Sequence, residues 1–518
     1  MAFSKPQSSR RAVRLLFGIA ALLLVVALFL VRFRRVIVAK HDPGFSRPPA
    51  EVTPALGRNT RRILNAPGQF ITLDPSGKYL INSITAKPVF ITGDAAWLLI
   101  TQLDNSAVDV YLSDRATRGF NYIWVAAADN NFRSNVPNSD GDVPFDGADF
   151  TNYNGAYWRH ADHVLQRAAY YGITVALSPG FVGLSSSGGY LSSYRTSSDA
   201  LLRAYGAFLG NRYKGYSNII WALGGDVDRS SGVVPKITAL ANGILSADTN
   251  HLIVAEGEPQ HAAIDTFARA EWMDLNWLYF HTTNIPNGAA ANYLRSGWLP
   301  PFLGEGWYEN EHSLTDLQCR QQGYWAVLSG AYLGNGGFGN NPLWYFNGGP
   351  HAQSGAPSWK SQLSSAGSLA QEYLGKLFRS RAHWKLVPDL THTVMTTGYD
   401  SRNFFDSTWE TARSLIHRVP YRLGSASAVA ARTSDGQTII AYVPNGNAAT
   451  ITIEMSRITD AASQAKSWWF NPRDGSAMII GNFATSGRRK FTPPDAQDWV
   501  LVIDSLSAGL VAPGSQDL

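Results

Sequence analysis

The sequence predicts a (β/α)8 barrel followed by a C-terminal all-β sandwich, with a single apolar helix ahead of both. Three features carry that expectation. Short apolar runs alternate with helix-like stretches through the middle of the chain. The last quarter turns to period-two alternation broken by glycine turns, and one uninterrupted apolar segment sits near the N-terminus. At 518 residues, 45% hydrophobic and 16% charged, the chain is long enough for a barrel-sized unit plus a smaller one, and its composition is globular.

The apolar segment comes first. Leu15 to Val31 is a run of 17 apolar or small residues, the short limit for a membrane-spanning helix. Arg32, Arg34 and Arg35 follow at once, and Ile37-Val38-Ala39 makes a poor cleavage site, which favours an uncleaved anchor over a removed signal peptide. Basic residues on both sides leave the positive-inside bias undecided. The body is placed outside the cytoplasm, periplasmic or at the cell surface, because no later segment could span; cleavage would leave it secreted. Eight Lys and Arg lie before residue 41 with no acid among them, so the formal charge of +5 and the pI near 9.1 belong to this segment. The rest carries 36 Lys and Arg against 39 Asp and Glu, a net of −3, which gives nucleic-acid binding no support. The expected organisation is an anchor over 1–40, a linker rich in Pro and Arg over 41–66, the barrel over 67–394, the sandwich over 395–508 and a tail over 509–518. Cys319 is the only cysteine; it allows no internal disulfide and reads as a small buried residue.

The barrel strands are read from PVFITGD (88–94), GFNYIWVAA (119–127), GITVALSP (172–179), NIIWALGGD (218–226), HLIVAEGE (251–258), DLNWLYFHT (274–282), PPFLGEG (300–306) and NPLWYF (341–346). Between them, WRHADHVLQRAAYYG (158–172) places Ala161, Val164, Leu165, Ala168 and Ala169 at helical spacing and ends on glycine; SSDALLRAYGAFLGNRYKG (197–215) repeats the pattern. Eight strands alternating with helices fit a closed barrel better than an open sheet. Further on, SAVAARTSDGQTIIAYVP (427–444), ATITIEM (449–455), AKSWWFNPRDGSAMIIG (465–481) and DWVLVID (498–504) alternate in period two, with SDG, NGN, RDG and TSG as turns.

In such a barrel the reactive groups stand at the C-terminal ends of the strands. Those ends offer Asp94, Asn130, Pro179, Asp226, Glu256 with Glu258, His281, Glu305 and Trp344. Asp226 and Glu305 stand out, each beside glycines and 79 residues apart, the span of three βα units. Two carboxylates facing each other across a barrel mouth can cleave an acetal, one donating a proton and the other attacking the carbon or activating water. The 16 Trp and 22 Tyr suit either a large core or flat platforms for sugars. Around the two acids, Trp97, Trp221, Trp307, Tyr308 and Trp344 are candidate platforms, Asp94, Asn130 and His281 candidate hydroxyl partners, and Glu309 a rival to Glu305. Each also has a plain structural reading: Asp94 as a helix cap, His281 as a core histidine, Glu309 as a loop residue. No HExxH, close Cys/His cluster, GxSxG or dinucleotide fingerprint is present, so neither a metal nor a cofactor is expected.

VFITGDAAWLL, RGFNYIWVAA, HADHVLQRAAYYGITVALSP, AYGAFLGNRYKGYSNIIWALGGD and GEGWYE, with IIAYVPNG, WWFNPRDG and FTPPDAQDWVLVID in the tail, resemble the apiosidase-like glycoside hydrolases. That barrel family, once a domain of unknown function, is accompanied by a C-terminal β-domain labelled collagen-binding. The resemblance covers most of residues 67–505. It implies a glycoside hydrolase of poly- or oligosaccharides in which Asp226 of GGD acts as acid/base and Glu305 of E-x-x-Y-E as nucleophile, in a retaining reaction. AAADNN and YFHTTN depart from the family pattern in loops that would contact sugar, so apiose specificity is not implied. The alternative is a carbohydrate-binding or matrix-adhesion protein on a retired barrel.

Overall fold

The computed structural model describes residues 68–128, 137–184, 189–268, 270–295, 299–348, 354–399, 427–444 and 450–518. The expected anchor at 15–31, the linker and Asn130 lie outside the described residues. Among the described residues no helix is long and apolar enough to cross a membrane.

Eight parallel strands form the barrel: β1 (Ile91–Ala95), β2 (Tyr122–Ala126), β3 (Thr174–Ser178), β4 (Ile219–Val227), β5 (Ile253–Gly257), β6 (Asn276–Tyr279), β7 (Pro301–Glu305) and β8 (Gly334–Asn335). Ladders run β5-β4-β3-β2-β1-β8-β7-β6. A two-residue antiparallel segment, His261–Ala262, pairs onto β6 near the seam with β5. A helix follows each strand: α1 (Asn105–Thr117), α2 (Gly155–Tyr170), α3 (Asp199–Tyr213), α4 (Val234–Ala247), α5 (Ala263–Thr266), α6 (Ile285–Tyr293), α7 (Asp316–Leu328) and α8 (Ala366–Arg379). Several starts are fixed by side chains that satisfy orphan backbone N–H groups: Asp104 accepts from Ala107, Asn154 from Ala156, Ser198 from Leu201 and Thr315 from Gln318. The apolar spacing of α2 buries Ala161, Val164, Leu165 and Ala168 as expected.

Aromatic rings fill the barrel. Trp124 of β2 meets Trp277 of β6 at 4.5 Å between ring centroids, and Trp277 meets Phe302 of β7 at 5.4 Å. Rings of this size need glycine opposite them, and a Cβ on Gly93 of β1 would lie 2.9 Å from the Tyr122 ring. Each ring so buried stabilises the fold by about 1.5–3 kcal/mol.

The eighth strand is not the expected NPLWYF. It is the pair Gly334–Asn335, wedged between β7 and β1, while 343–345 form a 3-10 turn. A Cβ on Gly334 would lie 2.3 Å from the carbonyl oxygen of Ile91, so this slot excludes the bulky run that marks the other strands.

The C-terminal region is a sandwich. Its larger sheet orders β9 (Leu386–Pro388), β11 (Val429–Thr433), β12 (Thr438–Val443), β17 (Trp499–Ser505), β14 (Gln464–Phe470) and β15 (Ala477–Ala484); its smaller sheet orders β10 (Met395–Thr397), β13 (Ile451–Glu454) and β16 (Arg488–Phe491). The large sheet takes its first strand from residues 386–388, ahead of residue 395. Ile439, Ala441 and Val443 of β12 join the core between the sheets, whereas Ile440 and Tyr442 join the core of the barrel. Both faces of that strand are buried, which is why it reads TIIAYV without polar alternation.

Candidate active site

Asp226 and Glu305 both sit where a strand breaks its register at glycine. Along β6 and β7, Trp277 pairs with Phe302 and Leu278 with Leu303, but Tyr279 pairs with Glu305, skipping Gly304. This β-bulge turns Glu305 onto the inner face that Phe302 and Tyr279 share. Only glycine fits the skipped position, since a Cβ there would lie 2.2 Å from the Trp277 ring. The β4–β5 ladder breaks likewise: Gly224 stands opposite Glu256, and the next pair is Val227 with Gly257. Gly225 and Asp226 are left unpaired, at φ of +100° and +51°. Asp tolerates this left-handed conformation at a cost of about 1 kcal/mol, and the bulge aims its carboxyl into the mouth.

Tyr279 stands at the centre of the acids. Its hydroxyl donates to Asp226, and the charges of Glu305, Asp226 and Glu256 all act on it, so its own pKa lies well above the usual tyrosine value. Burial pushes half-buried Asp226 up to about 6, and the Tyr279 hydrogen bond pulls the other way. Glu305 is 8% exposed. Burial pushes it up, hydrogen bonds with Glu256 and Tyr308 pull it down, and the charges of Asp226 and Glu311 push it up again. Glu256, 2% exposed, is pushed well up by burial and by the charge of Glu305. No described side-chain N–H or O–H reaches either oxygen of Glu256 in hydrogen-bond geometry, and the backbone N–H of Asp226 is the one donor that favours its charge. Its close partner is the Glu305 carboxyl, and two carboxyls can bond only when one keeps its proton.

Aromatic groups surround these acids. Trp97 donates from Nε1 to the Tyr308 hydroxyl at 3.1 Å and meets Phe181 edge-on. Trp307 lies between His281 and His312, with ring centroids 5.1 and 4.9 Å away. Burial and the neighbouring His312 hold His281 down at about 4, so it is neutral at pH 7, and its buried Nε2 has no partner among the described residues. Trp344 donates from Nε1 to Glu311 at 3.1 Å.

Three expected residues stand elsewhere. Asp94 turns outward from β1 to α1, accepting from the Tyr111 hydroxyl at 2.9 Å and Arg115 Nη1 at 3.2 Å. Trp221 is fully buried and donates to Asp248 behind β4 at 2.8 Å. Glu309 accepts from Asn340 Nδ2, Ser365 Oγ and the Gly367 N–H at 2.7, 2.6 and 2.8 Å, holding the start of α8. The structure adds Glu256, Tyr279, Glu311 and His312 to the site. Glu256 was visible at a strand end and Tyr279 lay unremarked inside the sixth run, and no periodicity told which way either points.

Comparison with known families agrees with this geometry. Residues 74–385 match the family model described as "Apiosidase-like, catalytic domain", and residues 412–504 match one described as "Putative collagen-binding domain of a collagenase". No curated protein matches the sequence. Among solved structures, a glycoside hydrolase family 5 protein from Bacteroides vulgatus ATCC 8482 superposes with a TM-score of 0.71 at 23% identity, covering 86% of this chain and 96% of that one. A second, described as a glycoside hydrolase, gives 0.69 at 24% identity over 85% and 98%. These likenesses establish the shared fold, and the family match spans more than half the chain. This chain belongs to the apiosidase-like family of glycoside hydrolases.

Proposed function

We propose that the chain is a retaining glycosidase of a polysaccharide or oligosaccharide, with Asp226 as acid/base and Glu305 as nucleophile, tethered outside the cytoplasm by its apolar segment at 15–31. The observation that carries the reading is the pair of bulges that turn both carboxyls toward Tyr279. In the first step a Glu305 oxygen attacks the anomeric carbon, the glycosidic C–O bond breaks, and Asp226 gives its proton to the leaving oxygen. In the second step the Asp226 carboxylate takes a proton from water. The water oxygen attacks the same carbon, the ester to Glu305 breaks, and both groups return to their starting forms. Asp226 is suited to the acid role because burial holds its proton to about pH 6. Trp97, Tyr308, Trp307 with its two histidines, and Trp344 supply flat faces and polar edges for the sugar. The C-terminal domain braces the barrel, joined to it by buried ion pairs from Arg320 to Asp498 and from Arg381 to Asp504.

The test is to incubate the detergent-solubilised full chain with plant, bacterial and algal polysaccharides and follow product by anomeric NMR. Sugar released with retained configuration, and lost by at least 10³-fold in Asp226→Asn and in Glu305→Gln, is the expected result. Inverted product would remove the nucleophile role from Glu305. Glycan binding without turnover, unchanged in both variants, would favour the retired barrel.

A further inference from the structure

Glu256 is a buried carboxyl that the two-acid mechanism leaves without a task. It stands on β5 opposite Gly224, at the bulge that aims Asp226, and the Gly224 turn packs on it closely enough that a Cβ there would lie 2.5 Å from the Glu256 carbonyl oxygen. Its side chain faces Tyr122 from β2, Asp226 from β4, Tyr279 from β6 and Glu305 from β7. None of these groups is a cation. An ionised carboxylate at 2% exposure, with no positive partner among the described residues and only the Asp226 N–H as donor, is strongly disfavoured, so this group keeps its proton. Once protonated it has one O–H to give, and the acceptor in reach is Glu305.

We infer that Glu256 is a positioning residue, held protonated through the reaction, whose O–H donates to the Glu305 carboxylate and keeps that nucleophile ionised and aimed. This inference rests on the proposed role of Glu305. It also resolves a conflict in the site. Burial and the neighbouring acids push Glu305 toward its neutral form, which cannot attack carbon. Two carboxyls in contact titrate as a pair, and once the first proton has left, the one that remains is shared between them. The proton rests on Glu256, the deeper of the two, while Glu305 also accepts from the Tyr308 hydroxyl. Tyr308 is itself held by Trp97, so the carboxylate is fixed from two sides.

Infrared spectroscopy of the full chain tests this without a substrate. In an Asp226→Asn background at pH 8, the carbonyl stretch of a buried protonated carboxyl is expected. It should persist in Glu305→Gln and vanish in Glu256→Gln, whose amide still donates to Glu305. It should return in Glu256→Leu, because Glu305 without that donor takes up a proton. A band that vanishes in Glu305→Gln and persists in Glu256→Gln would put the proton on Glu305 and overturn the inference, as would no such band in the parent. Thermal melts report whether each variant folds, and the two Gln variants decide the matter if Glu256→Leu does not. On a substrate found by the panel above, with Asp226 restored, Glu256→Gln should keep at least a tenth of wild-type kcat and Glu256→Leu less than a hundredth. Equal losses in the two would overturn the donor role. Mass spectrometry of the chain inactivated by a 2-fluoro glycoside of the released sugar separates the two readings. Label on a carboxyl other than Glu305 sinks the nucleophile assignment while leaving the location of the proton intact.

Discussion

At the scale of single residues, Asp226 has a backbone no ordinary strand residue adopts and a proton that most aspartates have lost at pH 5. Its carboxyl titrates at about 6 in the folded chain against an ordinary value of 3.8. Between those values the folded state binds a proton that the unfolded state does not. The stabilisation this group gives is therefore complete below about pH 4 and lost as pH rises through about 6. Asparagine cannot ionise. Asp226→Asn should accordingly melt higher than the wild type at pH 8 and show no such advantage at pH 4, as differential scanning calorimetry across that range would read. An advantage equal at both pH values would mean that the site does not hold the proton. Hydrolysis should decline in the same direction, falling as pH climbs through about 6 because the acid form of Asp226 is consumed.

At the scale of elements, the two bulges do the aiming, and glycine makes both of them. Gly225 is at φ +100°, and a Cβ there would lie 2.4 Å from the Phe181 ring. Gly225→Ala should cost about 1–3 kcal/mol in urea unfolding and lower turnover by at least a hundredfold, since relieving the clash rotates Asp226 away from Tyr279. Turnover within a few-fold of the wild type would show that the bulge does not set the acid. The same elements explain what the sequence could and could not disclose. Seven of the eight strands were legible because each is largely apolar. That same apolarity hides which residues face inward, because strands buried on both faces lose the period-two signal. So Asp94 and Trp221 read as mouth residues yet face the helix layer, while Glu256 read as one strand end among several. The eighth strand escaped because its slot admits glycine and no bulk. Asp226 and Glu305 were legible for a different reason: the glycines that build their bulges lie beside them in the chain.

At the scale of the whole molecule, the sandwich keeps a core of its own between its sheets, and its other buried face belongs to the barrel's core. Val429, Ala431, Ile440, Tyr442, Trp468, Phe470, Val500 and Val502 lie in the same buried cluster as the barrel strands. Tyr324 of α7 stacks on Tyr442 at 4.7 Å between centroids, and Trp325 donates from Nε1 to the carbonyl of Ser427. Two ion pairs cross the same face. Arg381 reaches Asp504 at 2.9 and 2.7 Å, both side chains at most 2% exposed, and Arg320 reaches Asp498 at 2.9 and 3.1 Å. A buried pair adds little over an apolar substitute, but removing one partner strands the other charge at a cost of about 3–5 kcal/mol. Arg381→Met should therefore lower stability by that amount. Because the cluster is continuous, the loss should appear in the barrel as well as in the sandwich. Calorimetry of the wild type should show one transition, and Arg381→Met should move that whole transition downward. A sandwich transition that shifts alone, with the barrel melting where it did before, would show that the two fold as separate units and that the C-terminal domain does not brace the catalytic one.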